Sequence, residues 1–212
     1  MQVLKISRVF GSRKEKYFAL IYLDKSAEET EFPLYPSELK KYGITEGLEC
    51  DDSLYYKIEK EVLKKRILAR CGYLLAKCAY TEKELKDKLL KDHYPAKLAD
   101  MAVLKMKDLS YINDEDFASR YIELNKAKKS MKLIRKELEQ KGVDKSITDE
   151  ICADDSDEET LSALAKKKCR GVDLSDVKQK NRVYRFLLSR GFSFEAVSAI
   201  LEKIIGQSER EA

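Results

Sequence analysis

The sequence predicts a mainly α-helical protein: three tandem three-helix repeats in a curved array, preceded by a small N-terminal antiparallel β region. Two observations carry this prediction. Leu89, Leu138 and Leu187 are spaced 49 residues apart, and a fixed period of this size is typical of helical repeat arrays, whose units bury a core by stacking on neighbours. Charged residues make up 38% of the chain, whereas Gly and Pro are scarce, a composition that favours long exposed helices.

Each repeat contains an apolar pair at helical spacing followed by a predicted turn. The pairs are Leu85 and Leu89, Ile134 and Leu138, and Val183 and Leu187. Gly142 and Gly191 follow a basic residue, and glycine just past a helix end takes the left-handed conformation. His93 occupies this position in the first repeat, and His is among the few other residue types enriched at positive φ.

The N-terminal residues differ from the rest. Short runs of aromatic and β-branched residues predict strands near residues 3–6, 17–23 and 31–35. A short helix is expected at 37–42, closed by Gly43. The next helix is predicted to run without interruption from about Asp52 to Ala79, and Thr81 with Glu84 forms a capping box for the one after it.

These patterns divide the chain into five parts. We predict a small β-rich extension at 1–51, a helical lead-in with repeat 1 at 52–112, repeat 2 at 113–158, repeat 3 at 159–206, and a frayed tail at 207–212.

Composition argues against several classes of function. The chain has no apolar run of about 18 residues for a membrane span, and its N-terminus lacks the apolar core of a signal peptide. Five cysteines without a Cys-x-x-Cys pair, and one histidine, predict reduced thiols rather than a metal site. No phosphate-binding Gly-x-x-x-x-Gly-Lys loop occurs. We therefore expect a cytoplasmic, monomeric protein that is not an enzyme and has no cofactor.

Two strips of basic residues without acidic ones form the candidate binding site. They occupy equivalent loop-and-helix positions in repeats 2 and 3, so stacking predicts one continuous basic ridge for phosphates or an acidic protein face. The alternative is that they are ordinary solvated helix faces. The strips contain Lys126, Lys128, Lys129, Lys132, Arg135 and Lys136, and Lys178, Lys180, Arg182, Arg185 and Arg190.

Two further features each have two interpretations. Tyr184 lies among the basic residues of the second strip, where it either stacks on a nucleobase or packs at a repeat interface. The run from Asp149 to Glu159 has seven acidic residues in eleven. It is either a solvated linker or a segment that repels DNA or contacts a basic protein face, thereby setting orientation.

Four segments, taken in order, resemble the RecX family of bacterial regulators of the RecA recombinase. They are residues 5–7, 109–118, 134–142 and 185–193. The resemblance covers essentially the whole chain. It implies a helical array that binds in the groove of the RecA–single-stranded DNA filament and inhibits recombinase and ATPase activity.

Two other functions remain open from the sequence. One is a DNA-binding helical-repeat module that acts without RecA, and the other is a helical adaptor for a different protein. The charge pattern supports filament binding and DNA binding equally, and only the resemblance favours the filament.

Overall fold

The computed structural model describes residues 2–10, 15–22, 29–49, 51–152 and 157–208. Contacts within the chain group it into two compact units, Met1–Asn113 and Asp114–Ala212. The five-part division drawn from the sequence stays a prediction.

Three strands precede the helices. β1 (Gln2–Phe10), β2 (Glu15–Tyr22) and β3 (Glu29–Phe32) pair in that order, both pairs antiparallel. Helix α1 (Pro36–Tyr42) follows and ends at Gly43, which takes a φ of 64°. Phe32, Leu34 and Ile44 are buried together with Ile58 and Ile67 of the helices that follow.

The helical stretch after residue 51 is not a regular α-helix throughout. It consists of α2 (Asp52–Ile58), a π-helical turn (Glu59–Leu63) and α3 (Lys64–Leu75). The predicted stretch is therefore helical without a break as far as Leu75, but it ends four residues before Ala79. Its buried residues explain the turn. Ile58 and Leu63 are five positions apart, whereas Leu63 and Ile67 are four apart. The wider π turn takes up the extra residue and keeps all three on the buried face.

The remaining helices are α4 to α11. Their bounds are Glu82–Lys91, Ala96–Asp108, Asp114–Asn125, Met131–Gln140, Lys145–Ile151, Glu158–Cys169, Val177–Ser189 and Phe194–Ser208. The predicted capping box of α4 is confirmed: the Thr81 hydroxyl accepts the Glu84 N–H at 3.1 Å, and the Glu84 carboxylate accepts the Thr81 N–H at 3.4 Å.

The 49-residue period corresponds to equivalent buried positions. Leu89, Leu138 and Leu187 are each fully buried, as predicted. The turn positions agree as well: Gly142 has a φ of 94°, Gly191 a φ of 91° and His93 a φ of 63°. The first repeat thus makes the same left-handed turn with a histidine.

The predicted fold class has to be corrected. It treats the strands as a separate region in front of the helices, whereas they belong to the same compact unit as the first helices. Phe32 at the end of β3, together with Leu34 and Ile44, lies in the helical core of that unit. The fold class is set by ten helices in the described residues when α2, the π turn and α3 count as one.

The repeats of the second unit also do not need stacking to bury a core. The cluster around Leu138 contains residues of α6, α7 and α8, whereas the cluster around Leu187 contains residues of α9, α10 and α11. Each repeat therefore closes its own core, contrary to expectation. Whether the array is curved stays a prediction.

A close backbone contact joins these two repeats. Ser130 is buried and caps α7, its hydroxyl accepting the Leu133 N–H at 3.2 Å. Its own N–H donates to the Arg190 carbonyl at 2.9 Å. A Cβ atom at Gly191 would overlap the side chains of Ser130 and Leu133. Glycine is thus required at position 191 for two reasons: the backbone has a positive φ, and there is no room for a side chain.

Truncating Leu138 tests the core of repeat 2. We expect Leu138→Ala to lower the free energy of unfolding by about 2–5 kcal/mol, because it removes buried methyl groups and leaves a cavity. Leu124→Ala, at a side chain that is 69% exposed in the same unit, is the control and is expected to stay within about 0.5 kcal/mol of the parent. Equal losses in urea unfolding would refute the assignment of Leu138 to the core.

A pair of glycine substitutions tests the junction. Gly171 and Gly191 both have positive φ, but only Gly191 lacks room for a Cβ atom. We expect Gly171→Ala to cost about 1–2 kcal/mol from backbone strain alone. Gly191→Ala should cost clearly more, because Ser130 and Leu133 have to move. Thermal unfolding of both variants measures the difference, and equal costs would mean that the close approach at Gly191 contributes nothing.

Candidate partner and nucleic-acid interface

The clearest part of the predicted site is a stripe on α10, made by Lys178, Arg182 and Arg185. Their spacing of four and then three residues places them along one face of the helix. All three are exposed, whereas Val183 and Leu187 are buried in the core. Among the described residues, no carboxylate lies within 4.0 Å of their charged nitrogens. This α10 stripe is an uncompensated positive surface.

The start of α10 is an unfavourable place for lysine. The helix begins at Asp176, whose carboxylate accepts the Lys178 N–H at 2.8 Å. Its first turn contains no acidic residue, yet Lys178 and Lys180 lie there. Because a helix N-terminus is partly positive, bases at this end oppose the helix dipole. Folding of α10 therefore does not account for these charges.

Arg190 has a structural role at the end of α10. Its carbonyl accepts the Ser130 N–H, and its guanidinium lies over the Phe186 ring at 5.1 Å from the centroid. This contact joins the end of α10 to the start of α7, so the two predicted strips meet end to end.

In the α7 strip, Lys129 is paired within its own repeat. Its amino group donates to both Glu137 oxygens at 2.7 Å, and the Tyr121 hydroxyl donates to the same carboxylate at 2.8 Å. Burial disfavours ionised Glu137, but the hydrogen bonds from Lys129 and Tyr121 together outweigh it, so the pKa of Glu137 is lowered. The hydrogen bond with Glu137 raises the pKa of Lys129.

Arg135 and Lys126 also have local partners. Arg135 donates to the Cys152 carbonyl at 3.0 Å, just past the end of α8, and lies 3.7 Å from Asp149. Lys126 pairs with Glu123 at 2.7 Å on an exposed face. Three of the six predicted bases in this strip are thus engaged.

The other three bases of this strip are Lys128, Lys132 and Lys136. All are exposed, with no carboxylate at ion-pair distance in the described part of the chain. Lys132 lines a cavity of about 760 Å³, whose lining also includes Asp157 and Glu158. Lys136 is the position equivalent to Arg185, 49 residues earlier, and is likewise exposed.

Comparisons with known proteins agree with this architecture. Residues 155–201, which include the whole α10 stripe, match the family model for the third three-helix domain of RecX. The regulatory protein RecX of Clostridium tetani is 27% identical, over 96% of both chains. This chain is thus similar to RecX proteins over nearly its whole length.

Two solved structures share this RecX fold. A crystal structure of a regulatory protein RecX superposes with a TM-score of 0.57 at 23% identity, covering 95% of this chain and 98% of the other. The RecX of Lactobacillus salivarius has a TM-score of 0.54 at 24% identity, covering 66% of this chain and 95% of its own.

Tyr184 packs within its own RecX repeat. Its ring stacks on Phe194 at a centroid distance of 5.7 Å, and its hydroxyl donates to Ser198 at 3.2 Å. Both partners lie on α11. The structure therefore favours packing over base stacking for Tyr184, although within a repeat rather than between repeats.

Part of the acidic run also has a structural role. The Asp157 carboxylate accepts the Met131 N–H at 2.8 Å, at the start of α7. Together with the contact of Asp149 with Arg135, this shows that the run is not merely a solvated linker. Residues 153–156 of the run lie outside the described residues.

Cysteines, metal sites and membrane spans were also predicted from composition. Cys71, Cys78, Cys152 and Cys169 form no disulfide among the described residues, and Cys50 lies outside them. Burial raises the pKa of Cys71 to about 11. The described side chains include no cluster of three metal ligands, and no helix among the described residues is long and apolar enough to span a bilayer.

One basic stretch escaped the sequence-based selection of the site. Residues 62–81 contain Lys64, Lys65, Arg66, Arg70 and Lys77 and no acidic residue. The stretch lies outside repeats 2 and 3, so a comparison of equivalent strips misses it. A count of acid-free windows along the chain finds it.

Replacing Glu137 tests the local pairing of Lys129. Because the pKa of Glu137 is lowered in the folded state, its stabilising contribution is present above the unfolded pKa and is lost as pH falls through the folded pKa. We expect Glu137→Gln to be less stable than the parent at about pH 7 and to approach it near about pH 3. Urea unfolding at both pH values checks this, and a constant difference would contradict the assigned pairing.

Proposed function

We propose that this RecX-like chain binds the RecA–single-stranded DNA filament and inhibits its recombinase and ATPase activities. Support comes from the similarity over nearly the whole chain to curated relatives that bear the name regulatory protein RecX. The observation that carries the proposal is the α10 stripe, three exposed bases that no carboxylate in the described residues compensates.

The charge distribution suits a filament better than a small ligand. A nucleoprotein groove offers phosphates and acidic side chains over a long surface, so many weak contacts can add up. The basic residues without an ion pair among the described residues are spread in this way. Lys178, Arg182 and Arg185 lie on α10, Lys136 lies in the middle of α7, and Lys128 lies just before α7. We propose that these five residues make the contacts, and that Lys126, Lys129, Arg135 and Arg190 hold the fold of the second unit.

Inhibition on this proposal requires no chemistry. A protein seated along the filament blocks access of a second DNA duplex and restrains the subunit movements that accompany ATP hydrolysis. The role is that of a cytoplasmic, non-catalytic regulator without a cofactor.

Binding to bare DNA is the second candidate, because the α10 stripe suits any phosphate backbone. Titration of the protein against single-stranded DNA, with and without a RecA coat and ATP, separates the two. Clear preference for the coated strand supports the filament function. Equal binding supports a DNA-binding module, and binding to neither supports an adaptor for another protein.

Charge reversal on α10 tests the interface. We expect Arg182→Glu with Arg185→Glu to abolish inhibition of RecA strand exchange at about physiological salt, since two attractive charges become repulsive. Removing one phosphate interaction should reduce the slope of log K against log salt by about 0.7 on a single strand. Strand-exchange assays across a salt series provide the measurement.

Lys166→Glu with Lys167→Glu is the matched control. These lysines are exposed on α9 of the same repeat, and their reversal changes the net charge by the same amount. The control should retain inhibition. Full inhibition by a normally folded α10 variant, or equal loss in both variants, would show that the stripe is only a solvated face. The pair Lys132 and Arg135 is less suitable, because reversing Arg135 also removes its bond to Cys152.

A further inference from the structure

Helix α3 of the first unit carries an exposed aromatic ring among basic side chains. Tyr73 is 53% exposed, the Lys77 amino group lies 4.2 Å from its ring centroid, and the Arg70 guanidinium lies 5.5 Å from it. Arg70, Tyr73 and Lys77 are three and four positions apart, so they form one line along the helix. An exposed ring flanked by cations combines the two elements that bind single-stranded nucleic acids.

The surface beside this line is smooth. Ala69, Gly72 and Ala76 are exposed and have at most a methyl group as side chain. A Cβ atom built at Gly72 would meet nothing within 4 Å, so the space next to Tyr73 is open. A planar base can therefore approach the ring from this side without displacing a long side chain.

The sequence of α3 carries an excess of positive charge. Residues 62–81 contain five basic residues and no acidic residue. In the described residues no carboxylate lies within ion-pair distance of Lys64, Lys65 or Lys77. Arg66 is bound to Glu38 and Arg70 to Asp92, so these two arginines are partly neutralised. The hydrogen bond and charge of Lys77, with a smaller effect of Arg70, lower the pKa of the Tyr73 hydroxyl.

Lys65 and Lys77 do not contribute to the core beneath this face. The buried side of α3 consists of Ile67, Cys71 and Leu74, which lie in the core of the first unit. Lys65 and Lys77 point away from that core and are exposed. Tyr73 lies outside that core and is 53% exposed. A ligand with both a planar ring and negative charge accounts for this combination.

We propose that this α3 face binds a short segment of single-stranded nucleic acid, with one base stacked on Tyr73 and the adjoining phosphates on Lys77 and Lys65. The site lies in the first unit and is separate from the α10 stripe. It acts on the bare strand, so it does not depend on the filament function proposed above.

Fluorescence anisotropy with a labelled oligo-dT strand tests the site, using full-length protein without RecA. All variants carry Arg182→Glu and Arg185→Glu, so that the α10 stripe does not contribute. We expect Tyr73→Ala to weaken binding roughly 5- to 100-fold, the range for loss of one base–aromatic stack. Tyr73→Phe retains the ring and should stay within about twofold of its parent, since stacking does not need the hydroxyl.

Two controls separate stacking from charge and from general damage. An oligomer of the same length with abasic sugars has the phosphates but no bases, so Tyr73→Ala should leave its binding unchanged. Tyr111→Ala removes another exposed tyrosine of the first unit, 67% exposed, and should leave oligo-dT binding unchanged. Equal thermal unfolding of the Tyr73 variants confirms their folding.

Three results would overturn the proposal. One is unchanged oligo-dT binding by Tyr73→Ala, and the second is an equal loss on the abasic strand. The third is an equal loss caused by Tyr111→Ala. A failure of RecA inhibition by the unsubstituted protein would count against the filament function alone and leave this site standing.

Discussion

The second unit depends on the close approach of the α7 start to the turn after α10. At that point Ser130 does three things: it caps its own helix, donates its N–H to the Arg190 carbonyl, and occupies the space that a side chain at position 191 would need. Asp157 adds a cap to the same helix by accepting the Met131 N–H. These polar contacts fix the register between repeats 2 and 3, since each repeat already has an apolar core of its own.

The junction also explains how the basic residues divide into two groups. Those near the junction or near carboxylates stabilise the fold: the Arg190 guanidinium lies over the Phe186 ring, Lys129 binds Glu137, and Arg135 donates to the Cys152 carbonyl at the end of α8. The bases that remain lie further along the exposed faces of α10 and α7. An excess of positive charge on a folded surface destabilises it through self-repulsion. On α10 the positive charge is present despite this cost and despite the opposing helix dipole. We therefore infer an external partner for it.

Much of the local structure follows from sequence rules that act within one helix or turn. The 49-residue spacing locates Leu89, Leu138 and Leu187 in their cores, and the left-handed turns at Gly142 and Gly191 follow from the chemistry of helix ends. The π turn was missed because its signal is a single step of five between Ile58 and Leu63. The predicted fold class was wrong in treating the strands as a separate region, because Phe32, Leu34 and Ile44 pack in one core with the helices that follow.

The candidate site was harder to predict for a related reason. A count of charges along the chain identifies acid-free strips, but the partners of those charges are set by tertiary structure. Glu137 lies one residue beyond the first strip, and the Cys152 carbonyl is seventeen residues from Arg135. Position in sequence cannot tell a base that holds a helix end from one that faces solvent. The α3 face lies in the first unit, outside the two repeats whose strips were compared, so that comparison could not reveal it.

Because each repeat of the second unit closes its own apolar core, opening one repeat does not expose the core of its neighbour. The free energy of that local opening is then set mainly by one repeat and by the hydrogen bonds of the junction. In the language of hydrogen exchange, the amides of α7 and those of α10 belong to different cooperative units. A chain built this way can adjust the spacing of its exposed basic faces by local opening at the junction, without losing the packing within each repeat.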